Sequence, residues 1–179
     1  MSRLSGLSFL SRRRVLSLAL GAGGLAAGGA AGLFALRGSA PKVPGLRCLS
    51  DHHYRTLAAL AAVAFPEGGA FPLGAGAMDL ARAFDGYLAD EPPWARDDLG
   101  NALVLLEFGP VLFERRFKTF SNLGEDERLA HFERWATSET LLRRQVAMGL
   151  RKFLSLVFYD RPEVWPSIGY DGPLAGAAR

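Results

Sequence analysis

Three histidines, one cysteine and several paired acids are the residues of this 179-residue chain that could do chemistry. His52 and His53 are adjacent, and neighbours on a helix point to different sides, so they form a poor chelating pair without further ligands. His131 is the only other histidine, and no Cys, His or acid stands at zinc-ligand spacing from it. All three read as surface or capping residues. Glu125-Asp126-Glu127 reads as the first turn of a helix, where acids meet the positive end of the helix dipole. Asp97-Asp98 has the same reading, since the central Gly and final Glu of a calcium loop are missing. Cys48 stands alone, which excludes an internal disulfide, and Arg47 occupies a position where a lipid-attachment motif needs a small residue. The sequence has no Gly-x-Ser-x-Gly elbow, phosphate-cradling loop or Cys-x-x-Cys-His haem attachment. We therefore assign no catalytic, cofactor-binding or metal residue. Two alternatives remain: a self-contained periplasmic cofactor-binding bundle with a pocket of His52, His53, Asp160 and the C-terminal aromatics, or a membrane-tethered structural protein with no redox partner.

The elements that would position such residues begin after a segment of another kind. Ser11-Arg12-Arg13-Arg14-Val15-Leu16 precedes an uncharged, Ala/Gly-rich apolar stretch that runs to Leu36. This is the layout of an export signal. Its adjacent arginines suit the twin-arginine route, which carries folded cargo. Ser11, Arg12, Arg13 and Leu16 match the Ser-Arg-Arg-x-Phe-Leu-Lys consensus; Val15 replaces Phe and Ser17 replaces Lys. Pro41 should hinder cleavage after Gly38-Ser39-Ala40. Residues 15–36 are long enough to span a bilayer core, so the segment is either a removed signal or a retained anchor, with Arg12 to Arg14 on the cytoplasmic side. Either way the expected location is periplasmic and associated with the inner membrane. Gly21-Ala22-Gly23-Gly24 fits a dinucleotide-binding pattern only superficially, because no strand precedes it.

The targeting segment also explains the charge. The first forty residues hold five arginines and no acid. The rest sets 16 basic residues against 18 acidic ones, a net −2, although the whole chain is +3. The domain is nearly neutral, and no nucleic-acid partner is implied.

Residues 41–49 read as a linker and 50–179 as one helical domain with room for a hydrophobic core. Ser50 should cap a helix ending near Phe65. Met78, Leu80, Ala81, Phe84, Tyr87 and Leu88 predict a second. Asp90-Glu91-Pro92-Pro93 opens a third, the most apolar, which Gly109-Pro110 should interrupt or kink. A fourth starts after Leu123-Gly124, and Thr137 or Ser138 should cap the last, whose apolar stripe includes Leu141, Leu142, Val146, Met148, Leu150, Phe153, Leu154 and Val157. Arg143, Arg144, Arg151 and Lys152 fall on its wetter side. No segment alternates with period two. The expectation is an all-α, irregular bundle of about five helices behind a signal helix.

After Phe158 comes an extended tail of aromatics, prolines and glycines. Trp165 and Tyr170 either cover the open end of the bundle or offer anchors to another protein, being residue types favoured at interface centres. The candidate partner residues are Trp165, Ile168, Gly169, Tyr170 and Pro173, with the Phe65-Pro66 turn as a second patch.

The chain resembles the gluconate 2-dehydrogenase subunit 3 family, the small or gamma subunit of bacterial FAD-dependent sugar and alcohol dehydrogenases. The resemblance covers about Leu49 to Leu174. It rests on Leu49-Ser50 with Thr56-Leu57-Ala58-Ala59, on Phe65-Pro66, and on Leu123 before Glu127-Arg128. The tail carries most of it, from Phe158-Tyr159-Asp160 through Val164-Trp165 to Gly169-Tyr170-Asp171-Gly172-Pro173. The resemblance implies a non-catalytic subunit that binds a flavoprotein of the glucose-methanol-choline type, helps it mature and escorts it through the twin-arginine translocase. FAD would sit in that partner, and a multihaem c-type cytochrome would accept the electrons.

Overall fold

The computed structural model describes residues 27–68 and 71–172. Arg12, Arg13, Val15, Leu16, the glycines at 21–24 and Pro173 lie outside them. The described residues form six α-helices, two 3-10 turns and no strand: α1 Ala27–Arg37, α2 Asp51–Ala64, α3 Leu80–Ala89, α4 Pro93–Glu114, α5 Glu125–Ala136 and α6 Leu141–Tyr159. The architecture is all-α, with five helices packed behind an N-terminal one. Among the described residues no helix is long and apolar enough to cross a membrane.

Helix starts follow local chemistry. Ser50 caps α2 by accepting from the His53 amide at 3.2 Å. Asp79 caps α3, and Glu127 reaches back to the Gly124 amide at 3.1 Å at the head of α5. Leu57 and Leu60 of α2, Leu103 and Leu106 of α4, Phe132 and Trp135 of α5, and Leu150 and Leu154 of α6 form one shared core. Each such side chain contributes about 1.5–3 kcal/mol on burial.

Several expectations need correction. Residues 41–49 are not a free linker. The amides of Arg47, Cys48 and Leu49 all donate to the buried Asp85 carboxylate, at 2.6, 3.0 and 2.7 Å. Burial pushes Asp85 up, but these three donors outweigh it and hold its pKa below the usual carboxylate value. Burial and hydrogen bonding to Asp85 push the Cys48 thiol up to about 11. It is thus a protonated donor, with no thiolate character.

Pro110 does not interrupt α4, which runs through to Glu114 and ends at Arg115 in the left-handed region. Gly109 instead marks a close approach. A Cβ there would lie 2.5 Å from the Trp135 ring and 2.8 Å from His131 Nε2, so α4 and α5 touch where only glycine fits. Thr137 closes α5 and Thr140 precedes α6, with no side-chain cap. Leu141 and Met148 are exposed, because the contacts of α6 with α5 and α3 leave that side uncovered. Arg143 and Arg151 are not simply solvated: their guanidinium groups lie over Phe113 and Phe132, at 4.5 and 5.2 Å from the ring centroids.

His131 is fully buried rather than on the surface. Its Nδ1 meets Glu114 Oε1 at 2.6 Å, while Nε2 faces α4 without a hydrogen-bond partner. Burial lowers its pKa, and the opposing pull of Glu114 does not restore it. The neutral ring therefore carries its proton on Nδ1 and donates to Glu114, which also accepts from Arg134. Burial raises the Glu114 carboxyl, but the bonds from Arg134 and His131 win and lower it. A histidine pKa depressed by folding means the unfolded chain takes up the proton first. Its stabilising contribution is complete above about pH 6.5 and is lost as pH falls below that value. We expect the melting temperature to drop between pH 7 and 5, and to drop less in His131→Gln; equal slopes for both proteins would contradict this.

Candidate partner interface

The C-terminal end of α6 gathers both patches singled out in the sequence. Phe65, at the end of α2, stacks on Phe158 with ring centroids 4.1 Å apart and planes 12° from parallel. Phe71, from the loop after α2, meets Phe158 and Tyr159 edge-on. Past Tyr159 the tail is not extended. Trp165–Ile168 forms a 3-10 turn, and the Trp165 indole nitrogen donates back to the Tyr159 carbonyl at 3.1 Å. Val164 is buried beneath it. Gly169 then adopts a left-handed conformation, φ 67°, that an L side chain rarely takes. This reverses the chain so that Tyr170 packs edge-on against Trp165, at 5.2 Å.

The covering reading of the tail holds in part, and the remainder of the tail stays exposed. Trp165 is half-buried, and Val164 and Phe158 belong to the core. Tyr159, Ile168 and Tyr170 are each about 45% exposed, at 44, 45 and 46%, and Pro66 is exposed beside Phe65. The result is an aromatic cluster around Phe158 and Trp165 with partly exposed apolar side chains at its edge. Sequence reasoning missed Phe71 and Tyr159. Phe71 sits in a Gly/Pro loop where periodicity carries no signal, whereas Tyr159 belongs to the tail but is not among its candidate partner residues.

The alternative pocket is not assembled. His52 and His53 stand at the start of α2, about a dozen residues and roughly 18 Å along the helix from Phe65. Asp160 lies at the far end, closing α6. His53 instead faces Gly100 in a cleft lined by Arg47, Cys48 and Arg96. Among the described residues no three His, Cys, Asp or Glu side chains converge as a metal site would require. No protein family, curated protein or solved structure matches the chain.

A second polar cluster was also missed. Glu107 of α4 is fully buried and accepts from Thr56 Oγ1 at 3.0 Å, the Ser121 amide at 3.1 Å and Ser121 Oγ at 2.7 Å. Its sequence signal is an acid inside the apolar run Ala102-Leu103-Val104-Leu105-Leu106-Glu107-Phe108 of α4. The same region takes in Arg37, the last residue of α1, which is 8% exposed.

Proposed function

We propose that this chain is the non-catalytic small subunit of a flavin-dependent dehydrogenase complex. It binds a glucose-methanol-choline-type flavoprotein in the cytoplasm, helps it mature and escorts it through the twin-arginine translocase. FAD resides in that partner, and a multihaem c-type cytochrome takes the electrons onward. The mature complex works on the periplasmic side of the inner membrane.

The observation that carries this reading is the pairing of two features in one chain. One is the Arg12-Arg13-x-Val15-Leu16 export pattern, which suits cargo folded before transport. The other is an aromatic docking end held in place by the fold itself. An escort needs both, a signal to lend and a preformed surface to hold its cargo. Preformed surfaces bind without the entropy cost of ordering mobile side chains.

Ile168 and Tyr170 separate docking from folding, because both are exposed. Replacing both with Ala should cost no more than about 1.5 kcal/mol of stability, the scale of the Tyr170–Trp165 edge contact. The same variant should weaken capture of the flavoprotein by about 2 kcal/mol or more, some thirtyfold. Melting curves and co-purification on one preparation check both halves. Unchanged capture would remove the aromatic end from the interface.

A further inference from the structure

We propose that the export segment is not removed after transport: its last residues are part of the folded domain, and the chain keeps it as a tether in the lipid bilayer. This rests on the export reading above and goes beyond it. Two ring contacts and four hydrogen bonds hold the end of α1. The Phe34 ring meets Phe108 edge-on at 5.7 Å. The Arg37 guanidinium lies over the same ring, 5.9 Å from its centroid. Asn122 Nδ2 donates to the carbonyls of Leu36 and Arg37 at 3.2 and 3.3 Å. Arg55 Nη1 donates to the carbonyls of Arg37 and Ser39 at 3.2 and 3.1 Å, while its Nη2 binds Asn122 Oδ1.

These bonds fasten Gly38-Ser39-Ala40, the small-residue stretch that ends the export segment. Proteolysis favours exposed, mobile backbone. Here two carbonyls at the would-be site are occupied, and Pro41 follows directly. Removal would also cost the fold. Arg37 is buried, and Glu107 acts on it electrostatically; cutting after it would leave the fully buried carboxylate without that cation. Upstream of Phe34, residues 15–33 contain no charged side chain. Nineteen residues in helical form reach about 28 Å, close to the thickness of a bilayer core. Arg12 to Arg14 would anchor its cytoplasmic end. The tether meets α2 near Arg55, about ten residues or roughly 15 Å from Phe65, so the aromatic end stays clear of the attachment point.

The test uses the full chain with a C-terminal affinity tag in a bacterium with an active twin-arginine translocase. Intact mass is measured on the tagged protein, and protease is added to spheroplasts. The proposal predicts a tag open to outside protease, recovery in the membrane fraction after an alkaline wash, and a mass that includes residues 2–179. An exposed tag on a species starting anywhere from residue 16 to residue 41 overturns the tether while leaving export intact. A tag protected in the cytoplasm overturns the export reading, and the tether with it. Pro41→Ala tests what protects the site. It should remain intact alone and become at least half trimmed when combined with Arg55→Ala and Asn122→Ala. Trimming of Pro41→Ala alone would show that proline, and not docking, is the guard, and would overturn the structural argument.

Discussion

Replacing Arg12 and Arg13 together with Lys should strand two proteins in the cytoplasm, this chain and its flavoprotein partner. The twin-arginine route reads the arginine pair itself, and lysine keeps the charge but loses the planar guanidinium. Dehydrogenase activity should therefore move from the periplasmic to the cytoplasmic fraction, with at least a tenfold loss outside. Fractionation with an activity assay and an immunoblot for each protein reads it directly. Normal export of the flavoprotein beside a stranded small subunit would remove the escort role, because the partner would then carry its own signal.

The second large effect is expected inside the bundle. Glu107→Ala should destabilise the domain by about 3–5 kcal/mol, since three buried donors would be left unsatisfied at roughly 1–3 kcal/mol each. Thr56 Oγ1, Ser121 Oγ and the Ser121 amide would all lose their acceptor. Arg37 would lose the carboxylate that opposes the lowering of its pKa by burial. With total stabilities commonly between about 5 and 15 kcal/mol, this is a large share. Glu107→Gln keeps one acceptor oxygen and should cost less. Urea unfolding of both, with Arg37→Met alone and combined, gives a double-mutant cycle. A coupling near zero would show that Arg37 and Glu107 do not act on each other.

Helix positions followed from apolar spacing and caps, as at Ser50 and at Glu125-Asp126-Glu127. Pro110 misled because a proline near a helix end removes one hydrogen bond yet fits helical φ, and packing of Gly109 against Trp135 holds the remaining turn. His131 misled because polarity suggests exposure, while Glu114 supplies the partner that makes burial affordable. The Arg47 to Leu49 segment looked like a linker because its anchor, Asp85, is distant in sequence. Long-range partners of this kind leave no local pattern.

The aromatic end was partly legible. Trp165, Ile168, Gly169 and Tyr170 stood out by residue type, and the Phe65-Pro66 turn by its place after a helix. Their meeting around Phe158 and Tyr159 depends on the ends of α2 and α6 coming together, which only tertiary packing decides.

The most direct measurement is capture of the tagged full-length chain from native membranes, followed by an absorption spectrum and mass analysis of what comes with it. The account predicts a yellow preparation in which the flavin belongs to a second, larger polypeptide, with this chain colourless once the two are separated. Recovery of this chain with no flavoprotein, or flavin bound stoichiometrically to this chain alone, would contradict it.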